Sequence, residues 1–256
     1  MTNKINIESI LLCPVCKGEL IFKKSWVKCL SCDNTFSKRA GVWNMLNLKG
    51  QKSKSSLRVY EQMHKNAYGR IKDGSYEILA SFARGNKSLD VACGDGFIEM
   101  LAPETVGLEF SWEALKKAKK NGAKHLVLAD AHHLPFKDSS FDIAICAGSL
   151  EHFENPLSAL KEMARVSKIQ VLTVHKSYPI PLANYLRSQV LKFKSIPDQP
   201  IDNPMSLSQL EKLFKRAKMN VVFKGVWTYP YDFGNLGFWV PKFFKLPSCH
   251  FFITKS

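Results

Sequence analysis

Four cysteines near the start of the chain have the spacing of a metal site. Cys13 and Cys16 form one C-x-x-C pair, Cys29 and Cys32 form a second, and 12 residues separate the two pairs. Two such turns let four sulfurs converge tetrahedrally on Zn²⁺ at about 2.3 Å, and a closed four-thiolate site leaves no position for a substrate. The spacing therefore predicts a structural zinc site, with a redox dithiol as the alternative for a single pair.

A glycine turn follows an apolar run farther along the chain. In SLDVACGDGF the run ends at Cys93, Gly94 and Gly96 follow, and helix-forming residues begin at about Phe97. A residue without a β-carbon lets the backbone approach a ligand closely, and the first amides of a helix are free to donate hydrogen bonds. The turn is therefore predicted to bind a ligand.

The next two apolar runs each end on an acidic residue. Glu109 ends VGLE, and Asp130 ends LVLAD. The first carboxylate can accept both hydroxyl hydrogens of a ribose, and the second can accept from an adenine amine beside the backbone amide of Ala131. Because the carboxyl ends of parallel strands meet at one edge, one nucleoside could contact all three strand ends. Glu99 stands where dinucleotide-binding proteins have a third glycine, which argues against NAD.

The elements that must position these residues alternate between strand and helix. Five strand-like runs, separated by helix-like segments, predict a parallel sheet with helices on both faces, an α/β fold. Ser111 precedes one helix as an N-cap and Gly122 follows it, while Asn155 and Pro156 open another. The predicted strands are SLDVAC, TVGLEF, HLVLAD, FDIAICAG and IQVLTVH.

The chain divides into unequal parts. Residues 1–48 contain the four cysteines and short strand pieces such as LIF and WVKC, and residues 49–56 read as a basic flexible linker. Residues 57–256 are predicted to form the α/β domain, with an acceptor-side insertion or lid around 176–245. Within that range LANYLRSQVLKF predicts a helix, and TYPYDFGNLGFWVPKFF predicts a loop.

The charge of the chain favours an anionic partner. The 256 residues carry a formal net charge of +15, and residues 1–60 contribute +8 of it from 11 basic and 3 acidic side chains. Such a surplus suits RNA, a membrane surface or an acidic metabolite. The sequence shows no secretory signal and no apolar run of the roughly 18 residues needed to span a membrane, which predicts a cytoplasmic protein.

Four consecutive stretches resemble one known family. LDVACGDGF, GLEFSWEALKKAKK, ADAHHLPFKDSSFD and AGSLEHFENPLSALKEMARVSK are similar to the motifs of class I S-adenosylmethionine-dependent methyltransferases, in particular the broad type-11 subgroup. The resemblance covers about residues 88–174. It implies a Rossmann-like, doubly wound, mostly parallel sheet of seven strands that ends in an antiparallel hairpin, here VVFKGVW and HFFITK.

The same resemblance implies a set of cofactor contacts. Asp90 and the backbone of residues 92–96 would contact the methionine part of S-adenosylmethionine, Glu109 the ribose, Phe110 a face of the adenine, and Asp130 with Ala131 its edge. The full set of predicted cofactor-binding residues is Asp90, Ala92, Cys93, Gly94, Gly96, Glu109, Phe110, Asp130, Ala131 and Ala147.

The cysteine-rich start resembles a second family. CPVCKGEL, CLSC and TFSKRAGVWNML are similar to the zinc ribbon found as the activator subunit of translation-related methyltransferases and, fused, at the front of others. The fused arrangement also resembles bacterial ribosomal-RNA guanine-N1 methyltransferases, in which the fourth ligand is generally a histidine, whereas this chain has Cys32. The ribbon is predicted either to position or cover an acceptor, or to stiffen the sheet domain.

The predicted catalytic residue follows the fourth strand. A methyl acceptor that carries a proton of high pKa benefits from a general base, and histidine suits that role. His152 in GSLEHF ranks first, ahead of Glu151 and His132, and a capping or packing role for His152 is the alternative. The stretch AGSLEH differs from the Asn/Asp-Pro-Pro-aromatic and Pro-Cys stretches of amine and cytosine-C5 methyltransferases, which disfavours those acceptors.

Three functions remain open on the sequence. The first is methyl transfer from S-adenosylmethionine to a ring nitrogen of an RNA base or a similar acceptor, because a basic ribbon and linker suit phosphates. The second is methylation of a small molecule at a hydroxyl or carbon acid, with a lipid- or sugar-linked acceptor included. The third is a non-catalytic RNA-binding adaptor that keeps the fold.

Overall fold

The computed structural model describes residues 5–47, 51–65, 74–175, 200–201, 203, 205–227 and 249–256. The helices are α1 (Ile7–Ile10), α2 (Gln51–Lys65), α3 (Ser75–Ala83), α4 (Phe97–Leu101), α5 (Trp112–Lys120), α6 (Pro156–Val166) and α7 (Leu207–Arg216). The strands are β1 (Leu20–Phe22), β2 (Trp26–Cys29), β3 (Thr35–Arg39), β4 (Val42–Asn44), β5 (Ser88–Val91), β6 (Val106–Glu109), β7 (His125–Leu128), β8 (Phe141–Ala147), β9 (Ser167–His175), β10 (Asn220–Trp227) and β11 (Cys249–Lys255).

All of these strands belong to one sheet. Their order is β1-β2-β3-β4-β7-β6-β5-β8-β9-β11-β10. The five strands β5 to β9 pair in parallel with one another, and β11 joins β9 antiparallel. The seven strands from β7 to β10 in this order confirm the predicted α/β sheet and its C-terminal hairpin.

The central strands are buried because helices cover both faces of the sheet. Every residue of β5 and of β6 is buried, as expected for parallel strands with two covered faces. Along β8, Ile143 and Ile145 pack with α3 and α4, whereas Ala144 and Cys146 pack in the cluster that contains α6 and α7. Alternate side chains of a strand point to opposite faces, so α3 and α4 lie on one face and α6 and α7 on the other.

Strands β1 to β4 extend this sheet instead of forming a separate body. β4 pairs in parallel with β7, with Trp43 opposite Val127, and the Met45 amide donates to the Leu128 carbonyl at 2.8 Å. One core cluster contains Val27, Phe36 and Trp43 of the ribbon together with Val127, Leu134 and Phe136 of the larger domain. The cysteine-rich part and the sheet therefore share a hydrophobic core.

A polar contact fastens the first cysteine turn to α6. Lys17, inside that turn, reaches Glu162 with a 2.7 Å ion pair and donates to the carbonyl of Leu134 at 2.9 Å. Arg165 binds the same Glu162 carboxylate and also the carbonyls of Leu134 and Phe136. Because both cations share one half-buried acid, ribbon and α6 are joined by a network rather than by an isolated surface pair.

Helix α2 differs from the sequence prediction. Residues 49–56 are rich in lysine and serine and were expected to be a flexible linker, yet α2 begins at Gln51 and runs to Lys65. Its later residues explain why it forms: Leu57, Tyr60 and Met63 recur at helical spacing, and the side chain of Met63 is buried. Tertiary packing of that face overrides the weak preference of its first residues.

The C-terminal part contains one more difference. The predicted insertion around 176–245 includes α7 and β10, which belong to the sheet domain because β10 pairs with β11 along its length. The segments LANYLRSQVLKF and TYPYDFGNLGFWVPKFF lie outside the described residues. Among the helices that the structure describes, none combines the length and apolar character needed to cross a bilayer.

Candidate cofactor cleft and cysteine cluster

The glycine turn folds back at the end of β5. Three of its residues have positive φ angles: Ala92 at 63°, Gly94 at 55° and Gly96 at 78°. A β-carbon built on Gly94 would meet no other atom within 4 Å, so the space above its backbone is open. That space is part of a cleft at the carboxyl ends of the parallel strands. The position of this cleft is where open α/β sheets bind their ligands.

Nine of the ten predicted cofactor-binding residues line this cleft, together with His152. They are Asp90, Ala92, Cys93, Gly94, Glu109, Phe110, Asp130, Ala131 and Ala147. Burial raises the pKa of the Cys93 thiol well above its ordinary value, so this side chain is a neutral thiol. The sequence motifs, which lie at the ends of four different strands, thus converge on one cavity.

Gly96 is the tenth predicted residue, and it does not line the cleft. A β-carbon at this position would lie 2.8 Å from the Ala118 β-carbon and 3.0 Å from its α-carbon. Gly96 therefore lets the turn pack directly against α5. Close packing of the turn, rather than cofactor contact, explains why a glycine occupies this position.

Glu109 ties the end of β6 to the glycine turn. Its Oε2 accepts a hydrogen bond from the Gly94 amide at 3.0 Å, and its Oε1 accepts from the amides of Phe110 and Ser111 at 2.7 and 2.9 Å. A carboxylate has about four acceptor positions, and three are used by backbone amides here. One position is left for a ligand, fewer than the two ribose hydroxyls expected from the sequence.

Asp90 and Glu99 are buried acids beneath the turn. Asp90 is 2% exposed and its Oδ1 has no hydrogen-bond partner among the described residues. Burial, followed by the charge of Glu109, raises the pKa of Asp90 to about 8. Burial also raises the pKa of Glu99 well above its ordinary value. Both carboxyl groups are therefore largely protonated at neutral pH, and a cation placed over Asp90 would favour its ionised form.

Asp130 is held by its own neighbours. Its Oδ1 accepts from the His132 amide at 2.9 Å and pairs with His132 Nδ1 at 2.5 Å. Although burial acts to raise it, the pKa of Asp130 is held well below its ordinary range by the hydrogen bonds from His132 and by the nearby His133 ring. Asp130 is thus ionised. Its Oδ2 lies farther from His133 Nδ1, at 3.7 Å.

His132 and Glu151 were ranked behind His152 as general bases, and both are engaged in the structure. His132 Nδ1 pairs with Asp130, and its Nε2 accepts from the Asn155 amide at 3.2 Å. Glu151 hydrogen-bonds the side chain of His175 and accepts from the His175 amide at 3.0 Å. Both ring nitrogens of His132 are thus engaged, whereas Glu151 uses one carboxylate oxygen, Oε1, for His175 and keeps Oε2 without a partner among the described residues.

His152 is arranged differently. Its Nδ1 lies 2.8 Å from the carbonyl of Ile201, so Nδ1 carries the proton and donates it. Its Nε2 has no hydrogen-bond partner among the residues that the structure describes, and the ring lines the cleft. This tautomer leaves Nε2 unprotonated, which suits either a general base or a metal ligand.

Helix α2 covers the cleft, which sequence analysis did not predict. Its side chains at Ser56, Tyr60, Met63 and His64 line the cavity. Tyr60 donates to the carbonyl of His152 at 3.3 Å, and His64 pairs with Asp95 of the glycine turn at 3.3 Å. The spacing of these residues along α2 was visible as a helical pattern, but no local signal indicated what they contact.

Glu61 fixes α2 to the start of α5. Its carboxylate accepts from the Ser111 hydroxyl at 3.1 Å and from the amides of Trp112 and Glu113 at 2.8 and 2.9 Å. Free amides at a helix N-terminus are stabilised by an acceptor and by negative charge. One acid thus caps α5 and holds the covering helix in place.

The four predicted zinc ligands lie together. The Sγ atoms of Cys13 and Cys32 are 3.6 Å apart, those of Cys16 and Cys29 are 3.5 Å apart, and all four lie within 4.8 Å of one another. Sulfurs that each bind one ion at about 2.3 Å in a tetrahedron have nearly these separations, so the residues fit Zn²⁺. The Asn34 side chain donates to Cys32 Sγ at 3.1 Å and lowers the pKa of that thiol to about 6.

The cysteine cluster lies away from the cleft. Within the described part of the chain, no residue of the ribbon lines the cavity, whereas β4 pairs with the sheet. Of the two roles predicted for the ribbon, these contacts favour stiffening the sheet domain over covering an acceptor.

Comparison with known proteins agrees with this geometry. Residues 89–172 match the family model of a methyltransferase domain, Methyltransf_11. A demethylmenaquinone methyltransferase of Staphylococcus epidermidis is 37% identical over 124 residues, which are 43% of this chain and 52% of that protein. The chain spans about half the length of the curated relatives it matches.

Solved structures share the fold at low identity. An S-adenosylmethionine-dependent methyltransferase of Thermotoga maritima superposes with a TM-score of 0.55 at 21% identity, over 79% of this chain and 96% of that one. A chain from a complex of the Haloferax volcanii Trm112 methyltransferase activator superposes with a TM-score of 0.53 at 14% identity, over 82% and 99%. The chain has the α/β methyltransferase fold, and residues 89–172 are similar to the methyltransferase domain family.

Proposed function

We propose that this protein transfers the methyl group of S-adenosylmethionine to an acceptor bound in the same cleft. The observation that carries this proposal is the convergence of nine motif residues from four strand ends on one open cavity. Such a cavity at the carboxyl edge of a doubly wound sheet is the usual place for a nucleoside ligand. Intact Glu109, Asp130 and an open Gly94 also argue against a non-catalytic adaptor.

Different residues of the cleft bind different parts of the cofactor. Asp90 and the Ala92–Gly94 backbone bind the methionine part, where a positive ammonium group compensates the buried acid. Glu109 offers its last acceptor position to a ribose hydroxyl, Phe110 covers one face of the adenine, and Asp130 with the Ala131 amide binds its edge. Ala147, the last residue of β8, lines the same cavity.

The chain contributes mainly alignment to the reaction. S-adenosylmethionine supplies an electrophilic methyl group on a sulfonium, which an in-line nucleophile can take. Holding the two partners in line can supply several kcal/mol, about 7 or more in well-oriented systems. Helix α2 closes one side of the cleft through Tyr60 and His64, which excludes water, and His152 Nε2 can accept a proton from the acceptor.

A small molecule with a hydroxyl or an acidic carbon is the acceptor class that the observations favour. The ribbon contributes nothing to the described lining of the cleft, and a curated relative bears the name demethylmenaquinone methyltransferase. Apolar side chains such as Met63 and Phe153 line the cavity beside polar ones, as in small-molecule sites.

An RNA base is the second candidate acceptor, and one observation favours it. The net charge is +15, and Lys23, Lys24 and Lys28 are exposed on the ribbon. Such a surface would bind phosphates with an affinity that falls steeply with salt.

Transfer of a labelled methyl group separates these acceptors. The purified protein is incubated with methyl-labelled S-adenosylmethionine and either total RNA or a small-molecule extract from the source cells. We expect label in the small-molecule fraction, and label confined to RNA would assign the second candidate. Gly94→Arg, which fills the open space above the turn, should abolish incorporation. The proposed activity is wrong if neither the RNA nor the small-molecule extract gains more label than it does with the Gly94→Arg variant.

The cysteine cluster is proposed to bind one structural Zn²⁺ through Cys13, Cys16, Cys29 and Cys32. The four sulfur positions support this, and the absence of an open coordination position makes the ion structural. Metal analysis should find one zinc per chain, and Cys13→Ser should lower that content. A zinc content unchanged by Cys13→Ser would contradict the assignment.

A further inference from the structure

A second group of metal-ligand side chains lies at the acceptor end of the cleft. One ligand atom each of Glu151, His152 and His175 lies within 4.8 Å of the others. His152 and His175 both line the cavity, and Cys249 lines it beside them and hydrogen-bonds His175. Glu151 and His152 lie in the turn that follows β8, His175 ends β9 and Cys249 starts β11, so three neighbouring strands bring them together.

Glu151 is buried without a full set of partners. The residue is 1% exposed, and its Oε2 has no hydrogen-bond partner among the described residues, while Oε1 is bound to His175. A buried carboxylate oxygen without a partner is costly and calls for a ligand, an ion or a proton donor. Glu151 therefore pairs through Oε1 with His175 and keeps a buried oxygen, Oε2, that a further ligand would satisfy.

Neighbouring groups fix the side-chain orientations of both histidines. The Nδ1 proton of His152 is donated to the Ile201 carbonyl, which is the backbone support that fixes the tautomer of many metal-binding histidines and leaves Nε2 as ligand. His175 packs over Gly148, where an added β-carbon would lie 2.8 Å from its Cε1. The absence of a side chain at position 148 gives the His175 ring its place in the cleft.

We propose that Glu151, His152 and His175 bind a divalent transition-metal ion at the acceptor end of the cleft. Two imidazoles and one carboxylate suit Mn²⁺, Fe²⁺, Co²⁺ or Zn²⁺, and three protein ligands leave positions open for other groups. Cys249 is near enough to His175 to add a fourth. An ion at this place would bind an oxygen of the acceptor, which favours an acceptor with a hydroxyl next to the reacting atom.

This inference is independent of methyl transfer, because metal binding is measured without cofactor or acceptor. It also changes the role of His152. A nitrogen that binds the ion cannot take a proton, so His152 would orient the acceptor through the metal instead of acting as general base.

Manganese titration tests the proposal on the full chain with its ribbon zinc retained. Mn²⁺ is a suitable probe because carboxylate and imidazole ligands accept it while a closed thiolate cluster disfavours it. The free ion is followed by its electron paramagnetic resonance signal. We expect one bound Mn²⁺ per chain and at least a tenfold weaker affinity for Glu151→Gln and for His175→Asn. His152→Asn, a change at a half-buried side chain, should weaken binding similarly and tests the site if the other variants do not fold.

The matched controls lie at the opposite end of the sheet. Glu104 and His125 form a carboxylate–imidazole pair at 3.6 Å that does not line the cleft. Glu104→Gln and His125→Asn should bind Mn²⁺ as the unchanged protein does. The proposal is overturned if the unchanged protein binds no stoichiometric Mn²⁺, or if folded His152→Asn and Glu151→Gln bind it with unchanged affinity. Cofactor calorimetry on the same samples reports separately on the proposed methyltransferase.

Discussion

Two glycines of one turn have different roles in this protein. Gly94 faces open space in the cleft, whereas Gly96 presses against Ala118 of α5. Both have positive φ angles, so an alanine at either position costs about 1–2 kcal/mol in backbone strain. Only at Gly96 does the added methyl group also collide with another helix.

Alanine substitutions should separate these two roles. Gly96→Ala should lower the free energy of unfolding by about 1–3 kcal/mol more than Gly94→Ala does, because of overpacking. Gly94→Ala should weaken S-adenosylmethionine binding more than Gly96→Ala. Urea unfolding and calorimetry on both variants measure the two effects. Equal losses of stability, or a cofactor affinity reduced only by Gly96→Ala, would show that the roles are assigned wrongly.

Asp90 should make cofactor binding depend on pH. Burial raises its pKa to about 8, so the free protein holds a proton there at pH 7. The cationic cofactor favours the carboxylate and lowers that pKa, so binding releases a proton and affinity rises as pH approaches 8. Calorimetry at pH 7 in buffers of different ionisation enthalpy should detect up to one released proton. Asp90→Asn should remove this release, and a release that persists in Asp90→Asn would assign it elsewhere.

Sequence alone predicts much of the candidate site at the residue scale. Glu109 and Asp130 end strands, and parallel strand ends lie along one edge, so their proximity follows from the pattern. His175 and Cys249 were missed although each ends or begins a strand at the same edge. Their pairing with Glu151 depends on the neighbours of β9, and no local pattern specifies which strands become neighbours.

Helix α2 makes the largest difference between the predicted cleft and the observed one, because it covers the cavity. Glu61 caps α5, Tyr60 contacts the His152 carbonyl, and His64 contacts Asp95 of the glycine turn. Its first residues are rich in lysine and serine, and therefore resemble a linker. The helix is stabilised by contacts with residues about 30 to 100 positions away, which a local reading of composition does not reveal.

Glu61→Ala should loosen this covering helix. Loss of the cap on α5 should lower the free energy of unfolding by about 0.5–2 kcal/mol. Affinity for S-adenosylmethionine should fall as well, because α2 lines the cleft. Glu113→Gln is the matched control, since the Glu113 carboxylate pairs with Lys116 of the same helix at 2.7 Å and its loss should cost less than about 0.5 kcal/mol. Unchanged cofactor affinity in Glu61→Ala would mean that α2 does not cover the bound cofactor.

At the scale of the whole molecule, ribbon and sheet form one unit. β4 continues the sheet at β7, Lys17 reaches Glu162 of α6, and one core cluster spans both parts. The sequence predicts each part from its own motifs, the cysteine pairs and the glycine turn. Their union by a parallel strand pair and a shared core is a long-range property that neither motif contains.

Loss of zinc should therefore affect the entire fold. Cys13→Ser, or removal of zinc by a chelator, should lower the midpoint of a single cooperative thermal transition and also weaken cofactor binding, because the ribbon leads directly into α2. Scanning calorimetry checks this, with Lys24→Ala as a control at an exposed ribbon residue outside the cluster. A separate low-temperature transition, with the main midpoint unchanged, would show two independent units.

Calorimetric titration tests most directly whether the cleft binds S-adenosylmethionine over the open glycine turn. The unchanged protein should bind one S-adenosylmethionine per chain, and Gly94→Arg should bind none. Gly85→Arg provides the matched control, because Gly85 also has a positive φ angle and open space around it but lies outside the cleft. It should bind as the unchanged protein does. Binding that survives Gly94→Arg at full affinity would contradict the account.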